Sequence, residues 1–470
     1  MKGNNGKKGS EKSVKHIKGS NGSTTLENKS TTHHQNHHDN KDPVENVVIV
    51  HCSRGISSTH LGWMFLQMIC VAAIVLYLYC HDESNLNGEW ILDDKVSLEL
   101  NPLVSGEELP WSEIWNRDFW GKDILTLARS HKSWRPLCTA TYRLNYIWAK
   151  GLVPYWFHLI DRILYAVVAA LVVPVCAYTF LHYTNTRTLS SSSSTISRGS
   201  NSNVHVLDGM LDFFHPTWFY TTMTLASLLY ATHPIHVESV ANTTGRAEVL
   251  CGLFYFTGFL MYARFGAQVP LLHTSTSSSG HTSTVGWIGI VGMIVCTFAA
   301  MLSKEHGITL PLVCIAWDAL VGTDTSIPEL LEVILNRNRH SSGSNALIGK
   351  KRREIKCIHF IIRSIAAIFF MFYIAVWRIH KNGTYSSDFI CEQNQGACLN
   401  HPFIKFIHFS FLWCFNVWLM LNPRNLSADW TADAVPMLDD PLTDPRMLAG
   451  TCSEKYYILL LLILSMALIG

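Results

Sequence analysis

Asp93 and Asp94 stand side by side just beyond an uncharged apolar run, 61–80, at the start of a long polar loop rich in aromatic residues. A carboxylate held at a membrane face suits one kind of chemistry well. Transfer of a glycosyl group to a hydroxyl needs a base that takes the acceptor proton as the anomeric carbon is attacked. If the leaving group is a lipid phosphate, it departs as an anion and needs nearby cations more than it needs an acid. An acidic pair is also ordinary in a solvated loop, so the neighbouring cations have to decide.

The chain supplies them in three places. Arg135 and Arg143 lie in SHKSWRPLCTATYRLNY. His233, His236, Glu238, Arg246 and Glu248 crowd into ATHPIHVESVANTTGRAEVL. Lys304 and Glu305 interrupt AMLSKEHGITL. Each group has a plainer reading. Lys304-Glu305 could be a neighbouring ion pair at a hairpin tip, His233-Pro234 a helix stop, and Arg246 a snorkelling side chain. Arg363 sits inside an apolar run and must face the protein interior, either as a phosphate contact or as a tie between helices. The HExxH and CxxC spacings of zinc sites are absent, as are Walker and dinucleotide glycine patterns, so no metal and no cofactor is expected.

The elements that must position these residues are membrane helices. The 470 residues are 48% hydrophobic and only 15% charged, against about 25% charged in a soluble chain. Runs long enough for a hydrocarbon core of about 30 Å fall at 61–80, 154–181, 213–232, 248–265, 286–302, 307–321, 357–379, 402–421 and 456–470. The spacing therefore predicts an all-α polytopic membrane protein with about nine apolar segments. The last run reaches the final residue, so a fragment of a longer product is expected.

Lysine and arginine orient the bundle. Lys2, Lys7, Lys8, Lys12, Lys15 and Lys18 mark residues 1–60 as a cytosolic arm, and its Gly, Ser, Asn and His content predicts disorder. Lys350, Lys351, Arg352 and Arg353 place 322–356 on the same side. The loop 81–153 is then luminal, together with all three polar groups. That convergence is the main argument from the residues themselves. A transporter would instead want polar pairs across both leaflets and an internal repeat. The serine-rich stretches 186–204 and 272–285 read as disordered connections. Trp90, Trp111, Trp115, Phe119, Trp120 and Trp134 make the first luminal loop too aromatic for a linker, and predict amphipathic helices in the headgroup region. Of the thirteen cysteines, Cys391 and Cys398 share a luminal loop and could pair. The His33-His34 and His37-His38 cluster reads as part of the solvated arm. Glycosylation sequons stand at Asn242, Asn382 and Asn425; the last is luminal only if 402–421 re-enters the membrane instead of crossing.

Six segments in this order resemble the TMTC family of endoplasmic reticulum O-mannosyltransferases: LDDKVSLELNPLV, NRDFWG, SHKSWRPLCTATYRLNY, ATHPIHVESVANTTGRAEVL, AMLSKEHGITL and FNVWLMLNPRNLSADW. The resemblance implies a GT-C-like multi-span bundle with a large first luminal loop, 81–153, in which residues 61–470 are the catalytic domain. It implies dolichyl-phosphate mannose as donor and Ser or Thr hydroxyls of secretory-pathway proteins, cadherins among them, as acceptors, with inversion by single displacement. The family's acidic motif falls on Asp93 and Asp94, with Asp93 as base or acceptor-orienting group and Asp94 as its partner. Arg135, Arg246 and Lys304 become the donor-phosphate contacts, and His233, His236, Glu238 and Glu305 further luminal-face candidates. No nucleic-acid partner is implied. Asp161 and Tyr165 stand where the family usually has Asn and His. The family also carries a C-terminal tetratricopeptide array, whose period of about 34 residues is not visible here. The competing expectation is a non-catalytic membrane scaffold that keeps the fold.

Overall fold

The computed structural model describes residues 58–105, 109–125, 132–195, 216–267, 285–322, 344–382 and 399–423, together with residues 331, 335, 396 and 426. Among the described residues every regular element is helical. The principal helices are α1 (Ser58–Cys80), α2 (Pro136–Ala149), α3 (Pro154–Thr195), α4 (Pro216–Thr232), α5 (Arg246–Met261), α6 (Trp287–Ser303), α7 (Leu310–Trp317), α8 (Ser344–Asn382) and α9 (Pro402–Leu421). Each apolar run expected between 61 and 421 coincides with one of them. Among the described residues five stretches are long and apolar enough to cross a membrane: Gly62–Cys80, Pro154–Thr179, Thr243–Gly266, Glu354–Asn382 and Pro402–Leu421. The helices α4, α6 and α7 are shorter than that. The run 456–470, the arm before Ser58, the cysteines Cys391 and Cys398, and the serine-rich stretch 272–284 lie outside the described residues. The helix α3 continues to Thr195, into the serine run that composition assigns to a loop. Serine is a mediocre helix former, but a helix already nucleated propagates cheaply.

Small residues let the central helices touch. A Cβ on Gly258 of α5 would lie 2.6 Å from Leu310 Cδ2 and 2.7 Å from Cys296 Cβ. A Cβ on Gly289 of α6 would come within 2.0 Å of the backbone nitrogen of Gly266. In lipid there is little hydrophobic gain from pairing helices, so close backbone approach and interhelical hydrogen bonds take its place. The bonds are present. Gln67 Nε2 on α1 donates to Tyr220 O and Thr224 Oγ1 on α4, both at 2.8 Å. Ser227 Oγ donates to Ala169 O at 2.6 Å, tying α4 to α3.

The two ends of the bundle carry different polar groups. At one end Asp318, just past α7, accepts from Tyr262 Oη at 2.7 Å and from Arg363 Nε at 2.8 Å. Arg363 is therefore buried as expected, and it ties α8 to the ends of α5 and α7. At the other end the first loop, the 233–248 segment, the 304–306 turn and the end of α8 meet. This is the end that charge placement assigns to the lumen. The end of α9 meets it too, because His233 Nε2 lies 2.9 Å from Met420 O. A full crossing after Asn382 would carry Met420 to the opposite end. The sequon at Asn425 itself lies outside the described residues.

The first loop is a folded layer. Trp90 and Trp134 are buried, and Trp90, Leu98, Phe119, Tyr142 and Phe157 form one apolar cluster with Ala247 and Leu250 of α5. Two of the tryptophans expected at the headgroups are thus core residues, while Trp111 and Trp115 stay exposed.

The close approach at Gly289 yields a test. Gly289→Leu must push α6 off the Gly266 backbone, an overpacking cost of about 1–3 kcal/mol or more. Gly62→Leu meets nothing within 4 Å and serves as control. Thermal unfolding of detergent-solubilised protein should show a lower midpoint for the first variant and an unchanged one for the second.

Candidate active site

The acidic pair is split by its backbone. A turn closes from Asp94 N to Ile91 O at 3.0 Å, and Leu92 inside it has φ 49°, in the left-handed region that Leu rarely occupies. Asp93 points out and is exposed, whereas Asp94 points in and is only 1% exposed. Asp94 is held from three sides: Thr243 N at 3.2 Å, Thr244 N at 2.7 Å and Thr244 Oγ1 at 2.8 Å. Ser97 Oγ completes the set 2.9 Å from Thr244 Oγ1. Burial raises the pKa of Asp94 above the usual carboxylate range, against the pull of the Thr244 and Thr243 hydrogen bonds. Asp93 forms no hydrogen bond or ion pair with the described residues. Asp94 is thus an anchor, and Asp93 is the carboxylate left available.

The donors of that anchor belong to the 3-10 turn Thr243–Gly245. Asn242 caps it, its side chain accepting from Thr244 N at 3.0 Å. The Thr244 hydroxyl and the Asn242 side-chain oxygen of this sequon are therefore committed to the fold. Tyr142 Oη donates to Thr243 O at 2.7 Å from α2. Below the turn lies Arg246, which is fully buried. Its Nε is bonded to Asp161 Oδ1 of α3. One terminal nitrogen donates to Asn145 Oδ1 at 3.0 Å and to Phe157 O at 3.1 Å. Its guanidinium also lies 4.8 Å from the centre of the Tyr142 ring. Arg246 was expected to touch the donor phosphate. In the fold its charge is already matched by Asp161 and its faces are covered by aromatic rings, so it joins α2, α3 and α5 beneath the site.

The 304–306 turn alternates sides. Lys304 Nζ is paired with Glu248 on α5, and His306 Nε2 lies 3.5 Å from the same carboxylate. Glu305 faces the other way, with Oε1 2.8 Å from Arg378 on α8 and Oε2 3.4 Å from Arg135. Lys304 and Glu305 are therefore not each other's partners. Burial works to raise the pKa of Glu305, but Arg135 and Arg378 outweigh it and hold it below the usual range. Arg378 also donates to Trp134 O at 3.2 Å. Arg135 lies 4.8 Å from the centre of the Phe119 ring. Arg143 serves the loop, donating to Leu109 O at 2.8 Å.

A cavity of about 330 Å³ opens beside this end. Val168, Val249, Gly252 and Phe256 give it an apolar wall, and His236, Ser239, Glu248 and His306 give it a polar mouth. His236 packs 4.5 Å from Tyr230 between ring centres, and burial lowers its pKa, with His233 adding to the effect. His233 caps the turn Pro234–His236, accepting from Ile235 N at 3.2 Å. The tautomer with its proton on Nε2 satisfies both this bond and the one to Met420 O. Glu238 is exposed and its carbonyl accepts from Asn242 N at 3.0 Å. Among the described residues no group of three or more His, Cys, Asp and Glu side chains gathers as a metal site.

The fold therefore gathers the segments that the sequence groups together and gives several of their side chains partners that the sequence does not indicate. Sequence alone does not single out Arg378, visible only as a cation near the end of an apolar run, where such residues are usually functional. Nor does it single out Thr243 and Thr244, whose amides carry no sequence signal. The buried pair can be tested directly. Removing one partner of a buried ion pair strands the other charge, at a cost of about 3–5 kcal/mol. Arg246→Gln should lower stability to that extent in denaturant titration. A double replacement of Asp161 and Arg246 by Leu and Met should recover much of it. An unchanged Arg246→Gln variant would mean that the arginine does not hold the fold.

Comparison with known proteins bears on this geometry. A family model described as "Protein O-mannosyl-transferase TMTC, DUF1736" matches residues 384–458. The chain is 27% identical over 379 residues to Protein O-mannosyl-transferase TMTC4 of Homo sapiens, covering 80% of this chain and 44% of the relative. It is 29% identical over 383 residues to Protein O-mannosyl-transferase Tmtc2 of Drosophila melanogaster, covering 82% and 32%. It is 29% identical over 368 residues to Protein O-mannosyl-transferase TMTC2 of Homo sapiens, covering 78% and 35%. The chain thus spans less than half the length of these relatives. No solved structure matches it. By these matches the chain is similar in sequence to the TMTC family of protein O-mannosyl-transferases.

Proposed function

We propose that this chain transfers mannose from dolichyl-phosphate mannose to Ser or Thr hydroxyls of secretory-pathway proteins, cadherins among them, at the luminal face of the endoplasmic reticulum membrane. The observation that carries the proposal is the asymmetry of the acidic pair. Asp94 is spent on anchoring the loop, and Asp93 is left exposed beside it with no partner among the described residues. The segment that receives the anchor, 233–248, also supplies His236, Ser239 and Glu248 to the mouth of the cavity. The relatives, each named a protein O-mannosyl-transferase, support the same reaction class.

In this mechanism Asp93 accepts the proton of the acceptor hydroxyl. The hydroxyl oxygen forms a bond to the anomeric carbon as the bond from that carbon to the phosphate oxygen breaks. The electron pair leaves with dolichyl phosphate, and the configuration inverts. Arg135 stabilises the phosphate charge that develops, while Lys304 stays paired with Glu248 at the edge of the cavity. The apolar wall of Val168, Val249, Gly252 and Phe256 suits an isoprenoid chain. Asp94 acts through position, because its three hydrogen bonds fix the turn that presents Asp93.

The test is transfer of mannose by the full chain, read by glycopeptide mass spectrometry. Asp93→Asn should reduce transfer by about 10²–10⁴-fold, the usual contribution of a positioned base, with expression and membrane insertion intact. A variant that yields the same glycopeptides as the parent protein would overturn the proposal and favour a non-catalytic scaffold.

A further inference from the structure

Glu305 bridges two arginines that come from distant parts of the chain. Arg135 precedes α2 in the first loop, and Arg378 lies near the end of α8. The carboxylate uses both oxygens, Oε1 to Arg378 at 2.8 Å and Oε2 to Arg135 at 3.4 Å. The guanidinium groups lie deep, with side chains 13% and 12% exposed, while the Glu305 side chain is 39% exposed. The anion is therefore the outer member and the cations are the inner ones. Two further features mark the cluster as unfilled. Its charges do not cancel, since two guanidinium groups face one carboxylate, and the other acceptors of Arg378, Trp134 O and Met301 O, are neutral. Arg135 Nε is also buried without a hydrogen bond. A buried donor left unmade costs free energy that a stronger acceptor would recover.

A polyprenyl phosphate is a monoester with three non-bridging oxygens and about −1.5 to −2 charge, and its glycosyl diester keeps one charge and two such oxygens; either suits two guanidinium groups better than a carboxylate at 3.4 Å does. We propose that Arg135 and Arg378 form a two-arginine clamp for the phosphate of a polyprenyl phosphate, and that Glu305 is its internal stand-in when the clamp is empty. The inference rests on the reading that this chain uses a lipid-phosphate donor, and it adds Arg378 and a role for Glu305 to that reading. The 304–306 turn keeps the two electrostatic tasks apart: Lys304 and His306 are occupied with Glu248, and only Glu305 faces the arginines.

The test is binding of dolichyl phosphate to the purified full chain in nanodiscs, followed by native mass spectrometry, with inorganic phosphate as a second ligand. Arg378→Gln should weaken dolichyl phosphate binding by about tenfold or more, the value of one charge-assisted hydrogen bond. Glu305→Gln, which removes the competitor and keeps the shape, should strengthen it several-fold. A Glu305 that is merely structural predicts the reverse, with weaker binding and a lower thermal midpoint. If the parent protein binds dolichyl phosphate and neither variant shifts its affinity in the expected direction, the clamp is wrong and the donor assignment stands. If the parent protein binds none, the donor assignment itself fails. Binding of inorganic phosphate alone, sensitive to Glu305→Gln, would overturn the lipid source. Should Arg378→Gln fail to fold, the sign of the Glu305→Gln effect decides alone.

Discussion

One carboxylate holds the site in place. Asp94 lies buried where an ion is costly, and three hydrogen bonds from Thr243 and Thr244 compensate that cost. Those bonds join the first loop to the segment between α4 and α5. Beneath them the Arg246–Asp161 pair joins the same segment to α3, and Asn145 extends the tie to α2. Anchor and pair form a continuous column. Without the column, nothing described here would keep Asp93 turned outward or the mouth of the cavity fixed beside it.

The column also explains why so many charges can sit at one end of a membrane bundle. Ionisable groups near lipid persist when they pair or hydrogen-bond internally. Here the sharing is specific: Asp161 takes Arg246, Glu248 takes Lys304 and His306, and Glu305 takes Arg378 and Arg135. The opposite end uses a separate device, Tyr262, Asp318 and Arg363, to gather α5, α7 and α8. The bundle is thus pinned at both ends, and small residues such as Gly258 and Gly289 allow the close packing between them.

Much of this was legible in the residues. Long apolar runs give membrane helices because every backbone group must be satisfied internally in lipid. Counting those runs, with the lysines and arginines between them, put the loop 81–153, the 233–248 segment and the 304–306 turn at one end, and the contacts of Asp94, Arg135 and Arg378 gather them there. Partners were not legible. Lys304 and Glu305 are adjacent in sequence yet face opposite ways, because extended backbone at Lys304 leads into the 3-10 turn Glu305–Thr309. Arg246 reads like any juxtamembrane cation until α2, α3 and α5 enclose it.

What the sequence alone determined is the class of molecule, the positions of its helices and the membership of one polar end, since these depend on composition and parity. Which aspartate is free, which arginine is buried and which one shares a carboxylate were decided only by tertiary structure. Pairing depends on side-chain direction over a few ångströms between residues as far apart as Arg135 and Arg378, and no local pattern encodes that.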